Sequence, residues 1–142
     1  MQRLGLPAPD RAPPPAAGAG AEDAIVAKFV AAYEAANLDA LVALLTDDVF
    51  MAMPPIPLEY QGRDVVARFC ASLFDAGRRF DLVPTRANGQ PAFGAYLLAP
   101  SGIRKGIGLL VLALAGDRVA AITRFEPVVL PWFGLPLELP TR

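Results

Sequence analysis

A chain of 142 residues, 54% hydrophobic and only 19% charged, suits one domain with a single well-filled core and excludes disorder over most of its length. Its 13 basic and 14 acidic residues leave a formal net charge of −1, which excludes the basic footprint of direct nucleic-acid binding or of docking on an anionic membrane. One cysteine and no histidine exclude an internal disulfide, a histidine-built zinc site and a histidine-dependent triad, so neither a metal nor a cofactor is expected.

Residues 1–21 carry Pro7, Pro9, Pro13, Pro14 and Pro15 ahead of an Ala/Gly run, a composition that reads as an extended linker or tail. They lack the continuous apolar core of a signal peptide, and the longest apolar run, Ile107 to Ala115, is about half of what a bilayer crossing needs. A cytoplasmic protein with no membrane partner is therefore expected. The domain is placed at 22–130. From Glu22 to Ala36, Ile25, Val26, Phe29, Val30 and Tyr33 recur at spacings of three and four, which predicts an amphipathic helix ended by Asn37. Leu38 to Leu45 repeats the pattern, and Asn37 or Asp39 can cap that second helix.

Val49 to Met53 reads as a strand, followed by a rigid loop because Pro54, Pro55 and Pro57 cannot donate to a ladder. Gly62 precedes a third amphipathic helix, Arg63 to Asp75, which Gly77 stops. Beyond it the period falls to two. Strands are predicted over Arg79 to Thr85, Gln90 to Leu98, Ile103 to Ala115 and Arg118 to Leu130, with turns at Asn88-Gly89, Pro100-Ser101-Gly102 and Gly116-Asp117, the last three forming a meander. Helices first and strands later predict an α+β fold. The apolar, proline-broken tail at 131–142 holds Trp132, Phe133, Leu135, Leu137 and Leu139; it either caps its own domain or offers a docking surface.

Five strings carry a family likeness: Leu38-Asp39-Ala40-Leu41-Val42-Ala43-Leu44-Leu45-Thr46-Asp47-Asp48, Met53-Pro54-Pro55, Tyr60-Gln61-Gly62-Arg63-Asp64, Arg86-Ala87-Asn88-Gly89-Gln90-Pro91-Ala92 and Phe133-Gly134-Leu135-Pro136. The stretch from Glu22 to about Pro136 resembles the SnoaL-like, nuclear-transport-factor-two-like domains, and most of all the accessory domain at the C-terminus of extracytoplasmic-function sigma factors. The first string is common to the superfamily; the Met-Pro-Pro and Asn-Gly-Gln-Pro-Ala strings point to the sigma-factor group. The resemblance implies a curved, mostly antiparallel sheet and three helices forming a cone around one apolar pocket. It further implies a regulatory role through an apolar small molecule or through contact with sigma-factor core domains or RNA polymerase. Those promoter-binding regions are not in this sequence, so the chain is read as a standalone relative or as part of a longer protein. Against the superfamily's ketosteroid isomerases, Phe29 stands where an oxyanion-hole tyrosine would be and Met53 where the general-base aspartate would be. A methionine cannot take a proton, which argues against that chemistry.

Polar residues on apolar elements are the remaining candidates, because a buried polar group is costly unless paired. Tyr33, Met53, Tyr60, Arg86, Asn88, Gln90, Tyr96 and Trp132 are expected at a ligand pocket, and Arg124 with Glu126 is the candidate catalytic pair. The last strand alternates Ala121, Thr123 and Phe125 against Ile122, Arg124 and Glu126. With the second set inward, a carboxylate beside an arginine could activate water; with it outward, the two form a surface ion pair. Asp47 and Asp48 read as turn formers, Asp64 as favoured by the dipole of the third helix, and Cys70 as a small buried hydrophobe. Three functions compete: a ligand-sensing or interaction domain, a cofactor-free hydrolase, isomerase or cyclase acting on an apolar substrate, and a homodimer module with its cavity filled.

Overall fold

The structure, a computed structural model, describes residues 18–140; the linker expected at the N-terminus lies outside them up to residue 17. The first helix, α1, runs Gly18–Glu34, four residues earlier than its apolar pattern predicts. Its inward stripe is Ile25, Phe29, Ala32 and Tyr33. The side chain of Asn37 accepts from the Ala40 backbone N–H at 3.2 Å, so Asn37 and not Asp39 caps α2, Leu38–Val42. That helix is shorter than predicted, because Leu45 already belongs to strand β1, Leu45–Met53. Asp47 and Asp48, expected in a turn, therefore lie exposed on β1, where Asp47 forms an ion pair with Arg63.

The proline segment is a second correction. Pro54-Pro55 turns the chain back, and Ile56–Gln61 forms strand β2 antiparallel to β1. The prolines do not prevent it because β2 is an edge strand, paired on one side only, so Pro57 needs no outward N–H. Helix α3 occupies Arg63–Asp75 as predicted, burying Val66, Cys70 and Phe74 at four-residue intervals. Strands β3 (Phe80–Ala87), β4 (Gln90–Leu98), β5 (Arg104–Ala115) and β6 (Arg118–Phe125) form an antiparallel meander. Asn88 and Gly89 both take positive φ in the two-residue β3–β4 turn, the backbone twist that this hairpin requires.

The strand order is β2-β1-β6-β5-β4-β3, and β1 with β6 is the parallel pair. At the far edge, the Leu82 N–H of β3 finds no further strand and donates to the Glu34 carboxylate of α1 at 2.8 Å. The predicted last strand overshoots: β6 stops at Phe125, and Pro127–Phe133 winds into a 3₁₀ helix. Pro127 fits a helix start and cannot continue a ladder. Residues Glu138–Leu139 then return as β7 against Lys105 and Arg104 of β5.

Both faces of the sheet are covered. On one, Phe29, Tyr33, Phe74, Phe80, Phe93, Leu110, Leu112 and Ile122 form the main core beneath α1 and α3. On the other, Leu130 and Leu135 of the C-terminal segment pack on Ala92, Tyr96, Leu109 and Val111. The Tyr96 hydroxyl donates to the Pro136 carbonyl at 2.7 Å, and Arg104 reaches both the Pro140 carbonyl and Asp81. Leu130 is fully buried and lies where a Cβ on Gly106 would meet its Cδ1 at 2.6 Å, so sheet and tail are in close van der Waals contact. Leu130→Ala should lower the unfolding free energy by about 2–5 kcal/mol through lost burial and a residual cavity, read from urea denaturation midpoints. A loss of under about 0.5 kcal/mol would mean the tail contributes nothing to the core.

Candidate functional site

A cavity of about 250 Å³ opens on the helix-covered face. Tyr33 reaches it from α1, Met51 and Met53 from β1, Phe69 and Leu73 from α3, and Ile122 and Arg124 from β6, with Phe80, Ile107 and Leu110 completing the sheet side and Arg78 standing at the α3–β3 turn. No carboxylate or histidine is among these residues.

Tyr33 is held by aromatic neighbours. Its ring centroid lies 5.6 Å from Phe29, 5.3 Å from Phe80 and 5.8 Å from Phe74, the last edge-on. Burial pushes its phenol well above the usual tyrosine value, Cys70 adds to that, and the Arg124 charge pulls the other way, so the group is a neutral hydrogen-bond donor at ordinary pH. Arg124 enters on the inward parity shared with Ile122. Its Nη1 donates to the Ile107 carbonyl at 2.7 Å. Its stem lies over Gly108, where a Cβ would meet Arg124 Cγ at 2.8 Å and the Phe125 carbonyl at 2.6 Å. The glycine thus makes room for the arginine. Cys70 sits behind this wall, and burial pushes its thiol up to about 11, which makes it an inert apolar filler.

The candidates named from the sequence are distributed over several places. Tyr33, Met53 and Arg124 share the cavity, while Tyr60 stacks on its wall residue Phe69 at 5.0 Å. Glu126 is exposed, beyond the last residue of β6, where it precedes the 3₁₀ helix, and it does not line the cavity with Arg124. Asn88, Gln90 and Trp132 line a different, more open groove of about 280 Å³ on the tail-covered face, with Thr123, Phe125 and Phe133; Trp132 is 77% exposed. Tyr96 lies buried under the tail. Arg86 pairs with Glu22 of α1 at 2.8 Å and donates to the Gly89 carbonyl, tying α1 to the β3–β4 turn. Met51, Ile107 and Arg78 were not singled out by sequence reasoning; the parity of Met51 with Met53 was a usable signal, whereas nothing in the sequence marks Arg78.

The pattern of a SnoaL-like domain matches residues 26–107. Over 120 residues the chain is 34% identical to the ECF RNA polymerase sigma factor SigG of Mycobacterium tuberculosis, an alignment covering 81% of this chain and 32% of the relative. The chain therefore spans about a third of the length of the curated relatives it matches. Among solved structures, an NTF2-like protein of unknown function from Mesorhizobium loti superposes with a TM-score of 0.64 at 18% identity, over 79% of this chain and 95% of that one. A protein with a ketosteroid isomerase-like fold from Catenulispora acidiphila gives 0.54 at 20% identity, over 80% and 94%. These structural likenesses establish the α+β fold with its curved sheet.

The buried thiol and phenol set an alkaline limit. Well below pH 9 Cys70 is protonated in both the folded and unfolded states and contributes no pH dependence. As pH rises from there towards about 11, the unfolded chain loses the proton that the folded chain still holds, so stability falls, and Tyr33 extends the fall to higher pH. Urea midpoints measured across this range should decline less steeply for Cys70→Ala than for the parent chain. Equal slopes would place the thiol in contact with water.

Proposed function

The chain belongs to the SnoaL-like domain family, and from that premise we propose that it is a non-catalytic, small-molecule-binding domain that works in a sigma-factor context. The observation that carries this reading is the composition of the helix-side cavity: apolar and aromatic walls with two arginines and a tyrosine, and none of the carboxylates or histidines that proton-transfer chemistry would draw on. Tyrosine with a raised pKa donates but does not serve as a base near neutral pH, and a guanidinium cannot accept a proton. Met53 at the end of β1 supplies thioether surface to the cavity in place of an acid.

The likeness to SigG supports the context. On this reading the domain is an appendage whose occupancy reports the presence of a small molecule to the parts that engage promoters. The exposed apolar residues of the tail-covered face, Phe125, Val128 and Trp132, offer the surface through which the appendage meets them. Glu126 is exposed alongside them and away from the cavity.

Binding without turnover is the expected result when a panel of small ketones, esters and epoxides is incubated with the domain. Thermal midpoints should rise with compound concentration, as linkage requires, while mass spectrometry returns each compound unchanged. Met53→Trp, which puts a larger side chain into the cavity wall, should abolish the rise and keep the far-ultraviolet circular dichroism of the parent. Consumption of any panel member above the buffer rate, lost in Met53→Trp, would make this an enzyme.

A further inference from the structure

Among the described residues, three arginines are matched by acids. Arg63 pairs with Asp47, Arg86 with Glu22 and Arg104 with Asp81. Arg124 and Arg78 form no such pair among the described residues, and both border the same cavity. Arg124 is the more telling. It is partly buried, it spends one N–H on the neutral Ile107 carbonyl, and its surroundings are Tyr33, Ile122, Met51 and Leu110. A guanidinium drawn into an apolar cavity without a counter-charge is costly unless something anionic completes it. Its remaining donors have the planar geometry that takes a carboxylate through two parallel bonds. Tyr33 is close enough to feel the Arg124 charge and brings a hydroxyl to the same cavity, while Arg78 adds a second positive charge at the exposed turn.

Resting on the reading that this cavity holds a small molecule, we propose that its ligand is an amphiphilic carboxylate. Its head is taken by Arg124 with Tyr33 as a hydrogen-bond donor, and its apolar body lies among Met51, Met53, Phe69 and Ile122. Arg78 draws the anion to the mouth and adds less to its retention, because its charge is solvated.

Calorimetric titration of the whole chain with octanoate, octanol and octylammonium separates the head group from the body at one chain length. Octanoate should bind about tenfold or more tightly than octanol, with octylammonium weakest, and added salt should narrow the gap. Arg124→Met keeps the apolar stem, so it should erase the preference for octanoate and leave octanol within about twofold of the parent. Arg78→Gln should lower octanoate affinity by less than Arg124→Met does. Octanol binding as tightly as octanoate would overturn the carboxylate assignment while leaving the cavity a binding site. If none of the three probes binds, and the ketones, esters and epoxides also leave the thermal midpoint unmoved, both this proposal and the binding function fall. Should Arg124→Met not fold, the octanoate to octanol ratio of the parent chain decides the question by itself.

Discussion

A sheet with apolar residues on both of its faces has to be covered twice, and that requirement organises this molecule. Strand β4 makes the point most sharply: from Pro91 to Tyr96 every residue is buried, Phe93 and Ala95 turned to one side and Ala92 and Tyr96 to the other. Neither side can be left to water, because each large side chain there is worth about 1.5–3 kcal/mol on burial. The helices α1 and α3 close the first side. The second is closed by a segment with too many prolines for a long helix or a long strand, folded instead as a 3₁₀ turn and a two-residue strand. Anchoring that segment takes polar bonds as well as Leu130 and Leu135, namely Tyr96 to the Pro136 carbonyl and Arg104 to the Pro140 carbonyl.

Each cover leaves a space, about 250 Å³ under the helices and a more open groove of about 280 Å³ beside the tail. The helix side packs closely at Phe29 and Phe93, which stack 5.7 Å apart, and its cavity lies between α1, α3, β1 and β6. In the β4–β5 ladder the register shifts between Ala95 and Tyr96, and Gly106 and Gly108 flank the extra residue, Ile107. That one irregularity places the Ile107 carbonyl and frees the space over Gly108, and Arg124 uses both. Charge enters the cavity through a bulge.

Much of the architecture was legible in the residues. Arg63–Asp75 could be read to its ends because glycines bracket it and Val66, Cys70 and Phe74 mark one stripe; Gln90–Leu98 followed from the Asn88-Gly89 turn. The failures share a physical origin. Proline counts as a strand breaker only where both sides of a strand are paired, and β2 is paired on one, a fact that belongs to the sheet and not to the segment. The alternation running through Ile122, Arg124 and Glu126 was correct for two members and ended before the third, because Pro127 takes the chain out of the ladder. Sorting the polar candidates needed the third dimension altogether. Asn88, Gln90 and Trp132 are as promising in sequence as Tyr33 and Met53, and only the sheet between them shows that they address opposite sides.

The parallel partnership of β1 and β6 bears on how such a chain is made. Residues Leu45 and Phe50 must find Val119 and Ala121, some seventy positions downstream, before the first hairpin gains a further strand. During synthesis from the N-terminus, β1 and β2 emerge long before β6, the strand that will join them to the rest. A ribosome paused between β5 and β6 would therefore hold a hairpin and a three-stranded meander that β6 has not yet joined. Closure of the domain is thus a late event that carries a cost in loop entropy, because the β1–β6 pairing joins segments far apart in sequence.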